Sequence, residues 1–324
     1  NAIDKLLNLS KKNNAWANQG PLWNLLKDLY QSYFKNLKKK YVIPCSSGGT
    51  ALQAIINLLN IKHEKKLRWC ISSFSFYNLN RGSLCDSIIV DTDVNGMLSI
   101  NELNKLNSNY LNKFDGIIVT NVFSLLPDFA AYEKWCIKNN KILVIDNATG
   151  ISANLTNVSY QALSLHHTKP YGFGEGGLAI VDKCDYEIFL SLIEYSPMKN
   201  QKNWVTNGKL SDWSCAPIIN RLKNADSWIP LYQEQANRIE SIASELGIDL
   251  LGITKTTTMS LPLLFKNKVN LKNNKFIQLG KYYQPLKQTK NTMKIYNRII
   301  NFPCHPDVKN LSKDIIIKIL KTFL

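Results

Sequence analysis

No stretch of this sequence approaches the ~18 consecutive apolar residues that a membrane-spanning helix needs, and its start shows no charged segment leading into an apolar signal core. The seven cysteines, Cys45, Cys70, Cys85, Cys136, Cys184, Cys215 and Cys304, are odd in number, widely spread and never in a Cys-x-x-Cys pair. These gaps speak against a membrane partner, a disulfide scaffold and a zinc site, and they leave the cytoplasm as the default location. Internal repeats and low-complexity linkers are also missing. The first residue is Asn1 rather than methionine, which leaves room for a start further upstream.

Acidic residues are in short supply, 24 against 40 lysines and arginines, for a net charge of +16. Such a balance raises nucleic-acid binding as a question. The lysines, however, are scattered along the whole chain among asparagines and isoleucines. They are locally dense only at Lys35 to Lys40 and Lys62 to Arg68, and no recognised module accompanies them. The reading is therefore no nucleic acid, with a general attraction for anionic nucleotides.

What is present is ample apolar material, 45% of 324 residues, enough for one large domain and a smaller one. Leu25, Leu26, Leu29, Tyr30, Tyr33 and Phe34 recur at helical spacing after Gly20-Pro21. Strands are expected at 41–44, 69–71, 87–90, 116–120, 141–145 and 178–181. Helices are expected to open at Ala51, at Ser99 with Glu102 three residues on, after Pro127-Asp128, and over 231–246. Strands with continuous apolar runs, alternating with helices, specify a mainly parallel sheet covered on both faces. Ligands of such sheets gather at the carboxyl ends of the strands. Asp146 stands at one such end, where taken alone it reads equally well as a turn residue.

Two stretches carry chemistry. Cys45-Ser46-Ser47-Gly48-Gly49-Thr50 is a small-residue loop opening a helix, so backbone N–H groups at the positive end of the helix dipole are available to a phosphate. Ser164-Leu165-His166-His167-Thr168-Lys169-Pro170-Tyr171-Gly172-Phe173-Gly174-Glu175-Gly176-Gly177 runs into a strand. Pro170 and four glycines place Lys169 on an irregular connection. A lysine crowded by histidines, hydroxyls and aromatic rings can lose its proton and become a nucleophile that forms a Schiff base.

The second stretch resembles the lysine segment of the DegT/DnrJ/EryC1/StrS sugar aminotransferases, in which Ser-x-His-x-Thr-Lys precedes Gly-Glu-Gly-Gly and a strand. The resemblance extends over nearly the whole chain, with motifs in the same order. It implies an α/β protein of the pyridoxal-phosphate-dependent fold type I, with a mainly parallel seven-stranded sheet between helices and a smaller C-terminal α+β domain. The expected division is 1–230 and 231–324.

By the same resemblance the lysine that carries pyridoxal 5'-phosphate is Lys169, the phosphate-binding serine is Ser164, and the histidine three residues before the lysine is His166; His167 is extra. Gly48, Gly49 and Thr50 fall on a Ser-Gly-Thr phosphate loop, with Gly49 where threonine is usual, so that Thr50 or Ser47 must supply the hydroxyl. Phe76 falls on the aromatic that stacks on the pyridine ring, although three aromatics near a strand end also suit a core. Asp146 and Ala148 match an Asp-x-Ala-His/Gln motif, with Thr149 as a departure, and Asp146 is implied to pair with the ring nitrogen. Asn207 matches an asparagine that reaches the phosphate of a neighbouring subunit, so a homodimer is implied. Trp204 and Trp213 are candidates for its interface or, equally, for the core.

The implied reaction moves an amino group from an amino-acid donor, usually glutamate, to C3 or C4 of a keto nucleotide-sugar, in surface-polysaccharide or antibiotic-type sugar biosynthesis. A related branch with histidine in place of the lysine dehydrates or deoxygenates sugars, and Lys169 argues against it. A degenerate binding or regulatory member is the remaining alternative.

Overall fold

The computed structural model describes residues 2–16, 19–106, 112–126, 128–194, 205–254 and 256–324. Helices α1 (Ala2–Lys12) and α2 (Pro21–Tyr33) lead into β1 (Lys40–Cys45) and α3 (Gly48–Lys62). Then follow β2 (Trp69–Ser72), β3 (Ile88–Val90), α4 (Ile100–Lys105), β4 (Gly116–Thr120), α5 (Ala130–Asn139) and β5 (Ile142–Asp146). Strands β6 (Gln161–Ser164) and β7 (Gly177–Asp182) flank the lysine segment, followed by α6 (Tyr186–Ile193), α7 (Asp212–Lys223) and α8 (Ala225–Glu245). The C-terminal part holds β8 (Asp249–Leu250), β9 (Ser260–Leu264), α9 (Lys290–Tyr296), β10 (Ile299–Pro303) and α10 (Lys313–Lys321).

The large sheet has seven strands in the order β1-β7-β6-β5-β4-β2-β3, and only β7 runs against its neighbours. The mainly parallel seven-stranded sheet expected from the resemblance is therefore present. The sequence reading lacked β6, whose four residues Gln161-Ala162-Leu163-Ser164 are too few to show an alternation. All four are buried, and β6 pairs parallel with β5 and antiparallel with β7. The β6–β7 reversal is what makes the lysine segment a connection at one edge of the sheet.

Helix α2 turns Leu22, Trp23, Leu26 and Tyr30 inward. Its first N–H groups are capped from far along the chain: the Asp212 carboxylate accepts from Leu22 N–H and Trp23 N–H, both at 2.9 Å, and from the Ser10 hydroxyl at 2.8 Å. At α4 the expected cap is found, with Ser99 Oγ accepting from Glu102 N–H.

Helix α8 begins at Ala225, earlier than the periodicity suggested, and runs through Pro230, which lacks the N–H that would bond back to the carbonyl of Asp226. The 230/231 boundary thus falls inside this helix. Ala225 and Trp228 join the core under the large sheet, whereas Ile239, Ile242 and Ala243 join a second core. That second core packs against the antiparallel sheet β10-β9-β8 and helix α10. The two parts are also tied at Asp91, which follows β3 and accepts from the Thr289 hydroxyl (2.6 Å) and Asn291 N–H (2.9 Å) at the start of α9.

Candidate active site

Strand pairing sets Asp146 opposite Thr120 at the carboxyl end of β5, and a chain of amides fixes the ends of the neighbouring strands. Asn121 Nδ2 donates to Asn147 Oδ1 (2.9 Å), and Asn147 Nδ2 donates to Gln161 Oε1 (3.1 Å). Asp146 itself is buried, and its carboxylate accepts from the N–H of Ala148 at 3.3 Å. Burial pushes its carboxyl up to about 6, while the Ala148 N–H and the charge of Lys169 pull the other way.

The segment between β6 and β7 folds back on itself. Leu165 N–H donates to Gly176 O, His167 N–H to Gly174 O, and Lys169 N–H to His166 O, each at 2.8 Å. Gly172 is needed where this loop doubles back, since a Cβ there would lie 2.0 Å from His166 O. The Lys169 amine is brought into the buried space shared with Asp146: burial lowers its pKa, the Asp146 carboxylate raises it, and its nearest polar contact is Met259 Sδ at 3.9 Å.

The phosphate loop meets the end of β6. A Cβ on Gly48 would come within 3.2 Å of Ser164 Cα and Cβ, and one on Gly177 within 2.3 Å of Gly48 N, so strand β7, strand β6 and the start of α3 touch at this point. Ser47 caps α3, its hydroxyl accepting from Thr50 N–H at 3.0 Å, and Thr50 Oγ1 shares hydrogen bonds with the Ser46 and Ser47 hydroxyls. The N–H groups of Gly48 and Gly49, first in the helix, have no intrahelical acceptor. Ser47 is thus the capping residue of α3, and the Thr50 hydroxyl lies beside it.

Other expected residues lie at varying distance from this centre. Phe76 is 44% exposed, with its ring 4.1 Å from that of Tyr77 and 6.4 Å from that of the buried Tyr283. It is therefore an exposed platform rather than core. The His166 ring is engaged with the Thr168 hydroxyl (2.8 Å) and with Glu175 (3.3 Å), and it packs on His167. Only its main chain touches the site, His166 N–H donating to Ser164 Oγ at 3.3 Å. Thr149 turns its hydroxyl to Asn121 O at 3.0 Å. Asn207 is exposed beside the phosphate loop of its own chain, because the next residue, Gly208, accepts from Ser46 N–H at 2.7 Å. Trp213 is 63% exposed, which removes it from the core; Trp204 lies outside the described residues.

Three neighbours escaped the sequence reading. Asn78 faces Gly49, where a Cβ would lie 2.9 Å from its Nδ2. Tyr283 stacks on Phe123 at 5.1 Å and 11°, within electrostatic reach of Asp146. Arg221 donates to Pro170 O beside the lysine, its guanidinium lying 4.3 Å from the Trp228 ring. A cationic side chain on an amphipathic helix gives no sign in the sequence of which carbonyl it will meet.

A family model describing the DegT/DnrJ/EryC1/StrS aminotransferases matches residues 2–321. The chain belongs to that family. Its cofactor is pyridoxal phosphate, and the protein is an aminotransferase. Among solved structures, the fold is similar to Helicobacter pylori PseC, an aminotransferase involved in the biosynthesis of pseudoaminic acid. That match has 17% identity, covers 100% of this chain and 96% of the other, and has a TM-score of 0.79. It is also similar to DesI in the presence of its TDP-sugar product, at 12% identity over 99% and 88% of the two chains, TM-score 0.79. NtdA from Bacillus subtilis, with bound cofactor PMP, matches at 17% identity over 99% and 82%, TM-score 0.77. The sheet order and these likenesses establish the fold type I architecture.

The residues suit the cofactor. Free N–H groups at the start of α3 next to the Ser164 hydroxyl match a phosphate. A buried carboxylate short of partners matches a protonated ring nitrogen, and an amine whose proton is loosened by burial matches a carbonyl.

Proposed function

We propose that this aminotransferase moves an amino group from glutamate to C3 or C4 of a keto nucleotide-hexose. The observation that carries the reading is the convergence of Lys169 and Asp146 in one buried space beside the junction of Ser164 with the start of α3. The likeness to PseC, from pseudoaminic acid biosynthesis, and to DesI, seen with its TDP-sugar product, supports a nucleotide-linked sugar as acceptor.

Pyridoxal phosphate supplies a carbonyl for amino groups and a conjugated ring that withdraws electrons. The protein's residues do the rest. The N–H groups of Gly48 and Gly49, with Thr50 and Ser164, would hold the phosphate; Asp146, oriented by Ala148 N–H, would keep the ring nitrogen protonated, and the exposed Phe76 would offer an aromatic face to the ring. Freed of its proton by burial, Lys169 Nζ takes a proton from the donor's α-carbon and later returns one to the acceptor carbon as general base and acid. His166 contributes through its main chain, which orients Ser164. Asn207 completes the phosphate site of a second subunit, so the working unit is a homodimer. The seven free thiols support a reducing, cytoplasmic setting for surface-polysaccharide or antibiotic-type sugar synthesis.

The test is a panel of 3-keto and 4-keto nucleotide-hexoses assayed with glutamate by mass spectrometry. A gain of one amine with matching release of the 2-oxo acid is expected for at least one member. Turnover of small keto acids alone, by a protein fully loaded with cofactor, would sink the sugar reading.

A further inference from the structure

Helix α3 carries Gly49, Gln53 and Asn57 on one face, each four residues after the last. The two amides of this row grip the stretch that follows Phe76. Gln53 Nε2 donates to Arg81 O (3.1 Å), Gln53 Oε1 accepts from Ser83 N–H (3.0 Å), and Asn57 Nδ2 donates to the Ser83 hydroxyl (2.9 Å). Gly82 lies so close to this row that a Cβ on it would come within 2.9 Å of Gln53 Oε1, and its φ of +57° suits glycine. Leu79 anchors the same stretch in the core under the large sheet. The short turn Tyr77–Asn80 is thereby held against the first turn of α3, with Asn78 facing Gly49.

The Asn78 amide takes up the room that a side chain at position 49 would need. A Cβ on Gly49 would lie 2.9 Å from Asn78 Nδ2 and 3.6 Å from its Cγ. Asn78 is half-buried, and among the described residues its side chain has no hydrogen-bond partner. The hydroxyls of the loop are in a different state. Ser47 Oγ accepts from Thr50 N–H, and Thr50 Oγ1 accepts from the Ser46 hydroxyl while sharing a hydrogen bond with that of Ser47. A hydroxyl has one proton to give, whereas the Asn78 amide has two, both free.

A free double donor thus stands beside the N–H groups of Gly48 and Gly49, at the positive end of α3, where the resemblance expects a threonine hydroxyl. We propose that Asn78 is a binding residue for the cofactor phosphate, its side-chain amide giving the hydrogen bond that a hydroxyl at position 49 would otherwise give. This rests on the phosphate site of the proposed function, to which it adds a residue. Glycine at position 49 then has a reason, since it leaves the amide its place.

The test is a titration of the cofactor-free full chain, followed by absorbance, with pyridoxal phosphate and with pyridoxal, which lacks the phosphate. Asn78→Ala should weaken pyridoxal phosphate about tenfold or more, the size of one hydrogen bond to a charged acceptor, and leave the affinity for pyridoxal within about twofold of wild type. Asn78→Asp, which sets a negative charge against the phosphate, should weaken pyridoxal phosphate further and again spare pyridoxal. Adding Gly49→Thr to Asn78→Ala should recover most of the loss, because the atom that would meet the new Cβ at 2.9 Å is gone and a hydroxyl returns in its place. Equal affinity for pyridoxal phosphate in wild type and Asn78→Ala, equal loss of both compounds, or no recovery in the double variant would each overturn the role given to Asn78. Failure of the functional reading looks different: wild type would then bind neither compound and the proposal would fall with it, whereas failure of the proposal alone leaves wild-type binding intact.

Discussion

The Asp146 carboxylate and the Lys169 amine face one buried space, each pulling the other toward charge while burial works against both. In the absence of cofactor the carboxylate is the more exposed to this conflict, since a single backbone N–H is its hydrogen-bond partner. Its pKa is raised to about 6, against about 3.9 for an unfolded aspartate. Folding therefore favours its protonated form. The cost of ionising it appears as pH rises through about 4 and is complete above about 6, for a total of about 3 kcal/mol.

Asp146→Asn should accordingly stabilise the cofactor-free protein by about 1–3 kcal/mol at pH 8 and leave its stability at pH 4 unchanged. The same change should lower transamination by about a hundredfold or more, because the ring nitrogen loses the charge that keeps it protonated. Urea unfolding at the two pH values and steady-state rates measure the two effects. Near-normal turnover would reduce Asp146 to a turn residue.

Lys169 should be the residue that carries the cofactor. Borohydride reduction of the yellow holoprotein followed by peptide mapping should place the label on Lys169 alone. Among the described residues, its amine is the lysine nitrogen that interacts with Asp146, and burial keeps a larger share of it unprotonated. Label on a different lysine, or none after cofactor is added, would end the assignment.

The legibility of the chain followed the kind of force involved. Helix caps and buried strands are local, so Ser99 and the apolar run at 141–145 could be read from a few adjacent residues. The candidate site residues were proposed because the motif around Lys169 is long and ordered, and the structure brings Lys169 and Asp146 of that proposal into one buried space. What escaped depends on tertiary approach: β6 is too short to signal itself, and Asn78 meets Gly49 across a fold that neither residue announces. His166 illustrates a different limit. Its spacing from Lys169 was legible, but its ring direction is decided by Thr168 and Glu175 on the loop.

Asp212 ties two distant parts of the chain together. It is fully buried, and its two oxygens satisfy the start of α2, some 190 residues earlier in the chain, as well as Ser10. Asp212→Ala should destabilise the protein by about 3–5 kcal/mol, because two helix N–H groups and a hydroxyl lose a charged acceptor in a dry environment. Asp212→Asn, which keeps one acceptor oxygen, should cost less. Equilibrium unfolding in urea distinguishes these, and a loss under about 1 kcal/mol for the alanine variant would mean water replaces the carboxylate.

The phosphate site gives the last prediction. Within one chain, Ser164 and the start of α3 approach from one side, and the backbone around Gly208 seats the 205–210 loop against Ser46 and Thr50. Asn207 is nevertheless exposed, as a side chain serving a neighbouring subunit would be in an isolated chain. Trp213, 63% exposed at the start of α7, is the kind of large apolar surface that a two-fold contact covers. The prediction is a dimer with shared sites, in which each Asn207 reaches the phosphate held by its partner. Lys169→Ala and Asn207→Ala should each be nearly inactive alone. Mixed under conditions that allow subunit exchange, half of the molecules formed should be hybrids, and every hybrid carries one site free of both changes. Activity should then rise to about a quarter of wild type, since half the dimers have one of two sites intact. A monomer by sedimentation, or no recovery after exchange has been shown by mass spectrometry, would place Asn207 outside any shared site.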